Sequence, residues 1–380
     1  MNPIDQTLHN TILALAPAAQ LVVHHQGKIT YSAAFGLLDP DRAAQPVQPA
    51  TRFDLASVTK LFTVTAFMRL VDQGQVDLET PLGAVLPEFQ GERPIQPYED
   101  PQIADAWVTL STATAVDAGQ LTFRHLLSHS SGLPAWRPLY RQPNADAARA
   151  MARQTFFSYP IGAQSIYSDI GLILLGFAVE RLSDQRLDKA LERLVCAPLG
   201  LTQSGFLPTT GDPTQPAPPS ISEQCAATEF CAWRKRRIVG QVHDENAYRL
   251  NGIAGHAGLF STAEDVAKLG QMYLDEGASL LRPNTVREMR RQQAQDGSAR
   301  RGLGFAPWSN DPESTGLAFS ASAFGHTGFT GTSLWIDPDR DLVVALLSNE
   351  VYNGRTNRHI GALRAAIHKA VVDAVDQEMA

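Results

Sequence analysis

The spacing of apolar and polar positions divides this chain into strand-forming ends and a helix-forming middle. Near the start, Leu21–His25 and Lys28–Phe35 are predicted strands, and Gln26-Gly27 between them is a hairpin signal. From Ser57 towards Gly74, apolar residues (Val58, Leu61, Phe62, Val64, Ala66, Phe67, Met68, Leu70, Val71) leave no consistent polar stripe. That pattern predicts a helix buried on most sides. Thr122 is expected to cap a short helix, Phe123–Ser128. Asp169–Leu182 and Leu187–Val195 are further apolar helices, and Ser261-Thr262-Ala263-Glu264 fits a capping box opening another. Gly91–Gly119 shows no period and is expected to be a surface insertion, and Leu207–Ala227 a loop.

The last third changes to β-rich stretches of period two: Gly302–Ala306, Ala323–Thr330, Ser333–Ile336 and Leu342–Leu347, the final pair joined at Asp337–Arg340. An amphipathic helix over about Arg355 to Gln377 closes the chain. Strands at both ends imply one antiparallel sheet in which the two ends meet. The expected fold is therefore α+β: a sandwich lobe of sheet and helices (1–56 with 295–380) and an inserted, mostly helical lobe (57–294). Sites form in clefts at such junctions.

Composition narrows the classes. The chain has 380 residues, 44% hydrophobic and 19% charged, which suits a globular protein with a large core. A net charge of −7 argues against a nucleic-acid or anionic-membrane surface, and the basic run Arg234–Arg237 is a local solvated loop. No apolar run is long enough to span a bilayer. The beginning lacks a basic leader region, and Ile12–Ala19, broken by Pro17, is expected to be an amphipathic helix. The chain is thus expected to be cytoplasmic if Met1 is the natural start, and periplasmic or extracellular if a leader was removed. Three cysteines are expected to be free thiols; no metal-ligand spacing stands out and no cofactor is expected.

Ser57-Val58-Thr59-Lys60 carries the strongest chemistry. Residues three apart share a helix face, so Lys60 stands beside the Ser57 hydroxyl. Burial disfavours the ammonium, and an amine beside a hydroxyl is what a nucleophilic serine requires. The plain alternative is a serine cap followed by a snorkelling lysine. Tyr167-Ser168-Asp169 lies on the turn into the helix Asp169–Leu182, where a phenol brought next to a lysine can shuttle protons; a simple cap is the alternative. His326-Thr327-Gly328 lies in a predicted strand, Ala323–Thr330, where a glycine admits close approach; an ordinary bulge glycine beside an exposed histidine is the alternative. His243, Asp244, Glu245 and His256 are candidates to line the cleft, against the alternative of turn and cap roles.

This ordered set resembles the serine β-lactamase and DD-peptidase superfamily, class C branch. Ser57–Lys60 is similar to its first motif, Tyr167-Ser168-Asp169 to Tyr-x-Asn, and His326-Thr327-Gly328 to the Lys/His-Thr-Gly strand. Leu126–Pro134 and Gly255–Thr262 are also family-like. The stretch Val242–Ala247 is most similar to low-molecular-weight penicillin-binding proteins of the D-Ala-D-Ala carboxypeptidase type. The resemblance implies a β-lactamase/transpeptidase-like fold and catalysis by Ser57, Lys60 and Tyr167 through an acyl-enzyme. It implies an oxyanion hole from the amides of Ser57 and Phe329, and substrate binding by Asp169, His326, Thr327 and Gly328. His326 in place of lysine implies carboxylate binding that titrates near neutrality.

One position departs from the pattern. Asp169 stands where relatives carry Asn, and a carboxylate accepts but does not donate. Beside Lys60 it would favour the ammonium against burial and shift the proton-carrying role towards Tyr167. The implied activity is hydrolysis of a small amide or ester, foremost a D-amino-acid peptide or β-lactam. The alternatives are a carboxylesterase and a penicillin-binding sensor without turnover.

Overall fold

The computed structural model describes residues 12, 15–103, 105–311, 314, 316–356 and 358–379. Its centre is a seven-stranded antiparallel sheet made by the two ends of the chain. The strands are β1 (Ala18–His25), β2 (Lys28–Asp39), β3 (Ala43–Pro46), β4 (Ala306–Pro307), β5 (Phe324–Thr327), β6 (Ser333–Asp337) and β7 (Leu342–Ser348), in the order β4-β5-β6-β7-β1-β2-β3. The first and last strands of the sequence thus meet at the middle, with Val22 opposite Ala345. Gln26 (φ 52°) and Gly27 (φ 69°) both take the left-handed turn that joins β1 to β2, as a two-residue hairpin requires.

Helices cover both faces of the sheet, which is why its central strands read as unbroken apolar runs. Alternate residues Val22, Leu334, Ile336, Val343 and Ala345 join one core with Val266, Ala267 and Leu269 of the helix Ala263–Leu274. Contact there is close: a Cβ on Gly270 would come within 2.5 Å of Val343. The intervening residues Leu21, Val23, Trp335, Val344 and Leu346 face Leu363, Ile367, Val371 and Val375 of the closing helix Ile360–Met379. Ala263–Leu274 lies inside 57–294, the span expected to be the helical lobe, yet it forms one layer of the sandwich.

The remaining helices pack around α1 (Thr59–Asp72), whose residues from Thr59 to Met68 are all buried. Neighbours include α2 (Phe123–Leu127), joined through the 4.6 Å ring contact of Phe67 with Phe123, and α3 (Asp169–Ser183). Thr122 caps α2. Three later helices bear on the site and the sheet and are labelled α4 (Glu245–Arg249), α5 (Ala263–Leu274) and α6 (Ile360–Met379). Among the described residues no helix is long and apolar enough to cross a membrane.

The structure adds detail to some expectations and corrects others. Gly91–Gly119 is two small hairpins, Glu92–Pro94 with Ala115–Asp117 and Tyr98–Glu99 with Trp107–Val108. Leu207–Ala227 contains a short helix, Pro219–Ser222. Of Gly302–Ala306 only Ala306 is in a strand, whereas Ala294–Asp296 and Ala299–Arg301 form an unforeseen hairpin. Thr262, not Ser261, caps α5 by accepting from the Asp265 amide. Of the helix expected over Ile12–Ala19, Ala18 and Ala19 belong to β1, and residues 13 and 14 lie outside the described residues. The closing helix starts at Ile360 rather than near Arg355.

Candidate active site

A short strand, Phe53–Asp54, pairs with Leu259–Ser261 and delivers the chain to Ser57. The buried Asp54 carboxylate accepts from the Ala56 amide at 2.8 Å and the His243 amide at 2.6 Å. Burial pushes its pKa up, against the pull of those two bonds. Ala56 has φ 45°, a left-handed conformation that costs a residue with a side chain about 1–2 kcal/mol. Such strain persists where surrounding bonds hold it. Ser57 then lies in the tight turn Ala56–Val58 that leads into α1.

Lys60, one turn on, is only 1% exposed. Its ammonium donates to Ser57 Oγ at 2.8 Å and to the His256 carbonyl at 3.1 Å, and it pairs with Asp169 Oδ1 at 2.8 Å. It also lies 4.8 Å from the centre of the Tyr167 ring. Burial alone would lower the lysine pKa, but Asp169 and the Tyr167 phenol outweigh it and raise the pKa above 10.5. The lowered value expected from burial alone is therefore reversed, because the carboxylate lies in contact. Lys60 is an ammonium that donates to Ser57.

Tyr167 is held by the turn ahead of α3. Ser168 caps that helix by accepting from the Gly171 amide at 3.1 Å while donating to the Pro134 carbonyl at 2.7 Å. The Ser168 amide donates to His129 Nδ1 at 3.1 Å, and the Asp169 amide to the Ala135 carbonyl at 2.9 Å. The His129 ring lies 4.6 Å from that of Tyr167. Burial keeps His129 far below its ordinary pKa, so its Nδ1 is free to accept. The segment Leu126–Pro134 thus anchors the turn that carries Tyr167 and Asp169.

His326 is the third residue of β5. Its Nδ1 donates to the Thr327 carbonyl at 2.7 Å, and its ring centre is 6.0 Å from that of Tyr167. Burial, reinforced by the Lys60 charge, pushes its pKa down to about 3. The expected titration near neutrality is overturned: His326 is an uncharged group at physiological pH.

Gly328 follows the strand rather than lying within it. Its amide donates to the Thr332 carbonyl at 2.8 Å. Thr330 and Thr332 hydroxyls bind the carbonyls of Asp54 at 2.7 Å and Leu55 at 2.8 Å, fastening this turn to the segment before Ser57. Phe329 is 45% exposed, and its ring stacks on His243 at 5.5 Å.

These parts line a cleft of about 520 Å³, bounded by Ser57, Tyr167, His326, Thr327, Gly328 and Phe329. Lys60 and Asp169 lie behind its wall. Arginines not singled out in the sequence, among them Arg301, Arg358 and Arg364, also line it. Arg301 stands 5.3 Å from the Tyr167 ring centre. Only the adjacent basic pair Arg300-Arg301 hinted at it.

The other candidates divide. Asp244 caps α4, accepting from the Ala247 amide at 2.7 Å, and lies 3.0 Å from His256 Nε2. Burial would raise the Asp244 pKa, yet the His256 ring beside it holds it well below the carboxylate range. His256 serves the site through its carbonyl on Lys60. His243 Nε2 lies 2.9 Å from Glu229, which also meets Arg355 at 2.6 Å. Glu245 pairs with Arg355 outside the cleft. Among the described residues no three His, Cys, Asp or Glu side chains cluster to hold a metal, and all three cysteines are buried free thiols.

The sequence and the fold of this chain are both similar to those of known proteins. The family described as Beta-lactamase matches residues 13–369. An N-acetylmuramyl-L-alanine amidase of Bacillus subtilis is 32% identical, over 92% of this chain and 81% of that protein. A putative D-alanyl-D-alanine carboxypeptidase of Salmonella agona is 29% identical over 99% and 90%. In structure, a hydrolase with promiscuous acyltransferase activity superposes with a TM-score of 0.71 at 22% identity, covering 97% of both chains. The octameric penicillin-binding protein homologue from Pyrococcus abyssi gives 0.70 at 20% identity, covering 98% of this chain and 77% of that one.

Proposed function

The chain belongs to the Beta-lactamase family and has its hydrolase fold, and on that footing we propose that it is a serine hydrolase working through an acyl-enzyme on Ser57. The observation that carries the reading is the Lys60 ammonium, 2.8 Å from Ser57 Oγ and 2.8 Å from Asp169. Tyr167 takes the Ser57 proton as Oγ attacks the substrate carbonyl, with the Lys60 ammonium beside both oxygens to balance the charge that moves between them. The amides of Ser57 and Phe329 receive the oxyanion. As the carbonyl re-forms, the bond to the leaving group breaks and Tyr167 protonates the departing nitrogen or oxygen. Water, deprotonated by Tyr167, then attacks the Ser57 ester; the acyl–Oγ bond breaks, Tyr167 returns the proton to Ser57 Oγ, and the acid is released.

The substrate class is a small amide or ester, with a D-amino-acid peptide foremost. Two relatives named for amide hydrolysis, a carboxypeptidase and an amidase, support an amide. Thr327 offers a hydroxyl to a substrate carboxylate, and Arg301 supplies the charge that neutral His326 lacks. The test is a panel of D-Ala-D-Ala peptides, D-aminoacyl amides, nitrocefin and p-nitrophenyl esters, with Ser57→Ala beside the native protein. Turnover that vanishes in Ser57→Ala is the expected result. Lasting labelling by a fluorescent penicillin with no turnover of any substrate would make the protein a sensor instead.

A further inference from the structure

Arg364 reaches the cleft from α6, the last helix of the chain, and is 6% exposed. Its Nη2 donates both to the Gly328 carbonyl and, at 2.7 Å, to the Thr332 carbonyl. The Gly331 amide adds a second donor to the Gly328 oxygen at 3.1 Å. Among the described residues no carboxylate is within ion-pair distance of Arg364. Its neighbour Arg358 is taken up by Glu350. A buried charge without a counterion is costly unless something else satisfies it. Here two backbone carbonyls take up Nη2, while the buried Nε has no hydrogen-bond partner among the described residues.

The Gly328 carbonyl and the Phe329 N–H are opposite ends of one peptide group. A cation that draws electron density towards the oxygen makes the N–H a stronger donor, since bonds in a chain polarise one another. The same guanidinium also braces Gly328 against Thr332, across the turn that Thr330 and Thr332 fasten to Asp54 and Leu55. Both bonds come from the two N–H groups of the one Nη2, whose planar geometry fixes their directions more tightly than a freely rotating ammonium would.

We propose that Arg364 is a positioning residue for the oxyanion hole, aligning and polarising the Gly328–Phe329 peptide so that its N–H meets the developing charge. This rests on the reading of Ser57 as nucleophile and of the Phe329 amide as an oxyanion donor. Loss of a donor outright lowers rates about 10²–10³-fold, so a residue acting through one is expected to account for about 10–100-fold.

The experiment compares native protein, Arg364→Lys and Arg364→Gln during acylation by carbonyl-labelled p-nitrophenyl acetate. It measures the acylation rate and the infrared carbonyl stretch of the trapped acyl-enzyme. The expected result is a slower rate with little change in KM, and a carbonyl stretch at higher frequency in Arg364→Gln. Arg364→Lys, which keeps the charge, is expected to fall between the other two. An acyl-enzyme in Arg364→Gln with the native rate and frequency would overturn this inference alone. If Arg364→Gln does not fold, Arg364→Lys carries the test: native values there overturn the inference, and a raised frequency upholds it. No acyl adduct on Ser57 of the native protein would overturn the nucleophile reading, and this inference with it.

Discussion

The Lys60 ammonium and the Asp169 carboxylate stand 2.8 Å apart, the first buried and the second 23% exposed. That pair sets the charge beside Ser57. Replacing Asp169 with Asn removes the larger of the two groups that oppose burial, so the lysine pKa falls from its present raised position, with only Tyr167 left against burial. An opposite charge in contact typically shifts a pKa by about 1–3 units. In Asp169→Asn the alkaline limb of kcat/KM for p-nitrophenyl acetate is expected at lower pH by about that amount. An unmoved limb would remove this pair from the titrating machinery.

The same pair has a stability consequence with a definite sign. A folded pKa raised above 10.5 contributes stability that is fully present below that value and is lost as pH rises through the folded pKa. In Asp169→Asn the folded pKa is lower than in the native protein, so that contribution shrinks. Thermal melts are expected to show a lower midpoint for Asp169→Asn at neutral pH, with the gap narrowing towards alkaline pH.

His326 gives the opposite pattern. With its pKa near 3 in the fold against 6.5 unfolded, the unfolded state binds the extra proton first. Stability is therefore lost as pH falls from 6.5 towards about 3. His326→Gln is expected to flatten that part of the acid-denaturation curve. The KM of a carboxylate-bearing peptide is expected to show no ionisation from His326 near neutrality, which a steady-state pH series checks.

Legibility in the sequence follows contact range. Ser57 and Lys60 are three apart on one turn, and Tyr167-Ser168-Asp169 belongs to a helix start, so local rules exposed both. Arg301 and His129 come to the site only through tertiary packing. Arg364 left a faint trace: it and His368 interrupt the apolar stripe of Leu363, Ile367 and Val371 on α6, and a charge in such a stripe needs a buried partner. The state of His326 was illegible because residue type gives an ordinary pKa, and the downward shift comes from burial and the Lys60 charge, both set by tertiary packing. Gly91–Gly119 showed no period because its paired strands are two or three residues long, too short to establish an alternation.

His129 is expected to govern the placement of Tyr167. His129→Ala leaves the Ser168 amide without its acceptor, at about 1–3 kcal/mol for a buried donor. Misplacement of a reacting group lowers kcat by about 10–100-fold. His129→Asn, which restores an acceptor, is expected to recover part of kcat. Equal kcat in the Ala and Asn variants would reduce His129 to a space-filling residue.

Gly328 is where packing and chemistry meet most tightly. A Cβ there would lie 2.1 Å from Thr332 Oγ1 and 2.4 Å from the Leu55 carbonyl, with Ala56 at 3.4 Å. The Leu55 oxygen is backbone and belongs to the strained segment before Ser57, so relief requires the 328–332 turn to move away from the nucleophile. Overpacking of this kind costs about 1–3 kcal/mol. Moving the Phe329 amide off its position is expected to cost about 10²–10³ in acylation rate, as for a deleted oxyanion donor. Gly328→Ala should therefore stay folded by circular dichroism while acylating Ser57 at a small fraction of the native rate, and a native rate would exclude the Phe329 amide from the oxyanion hole.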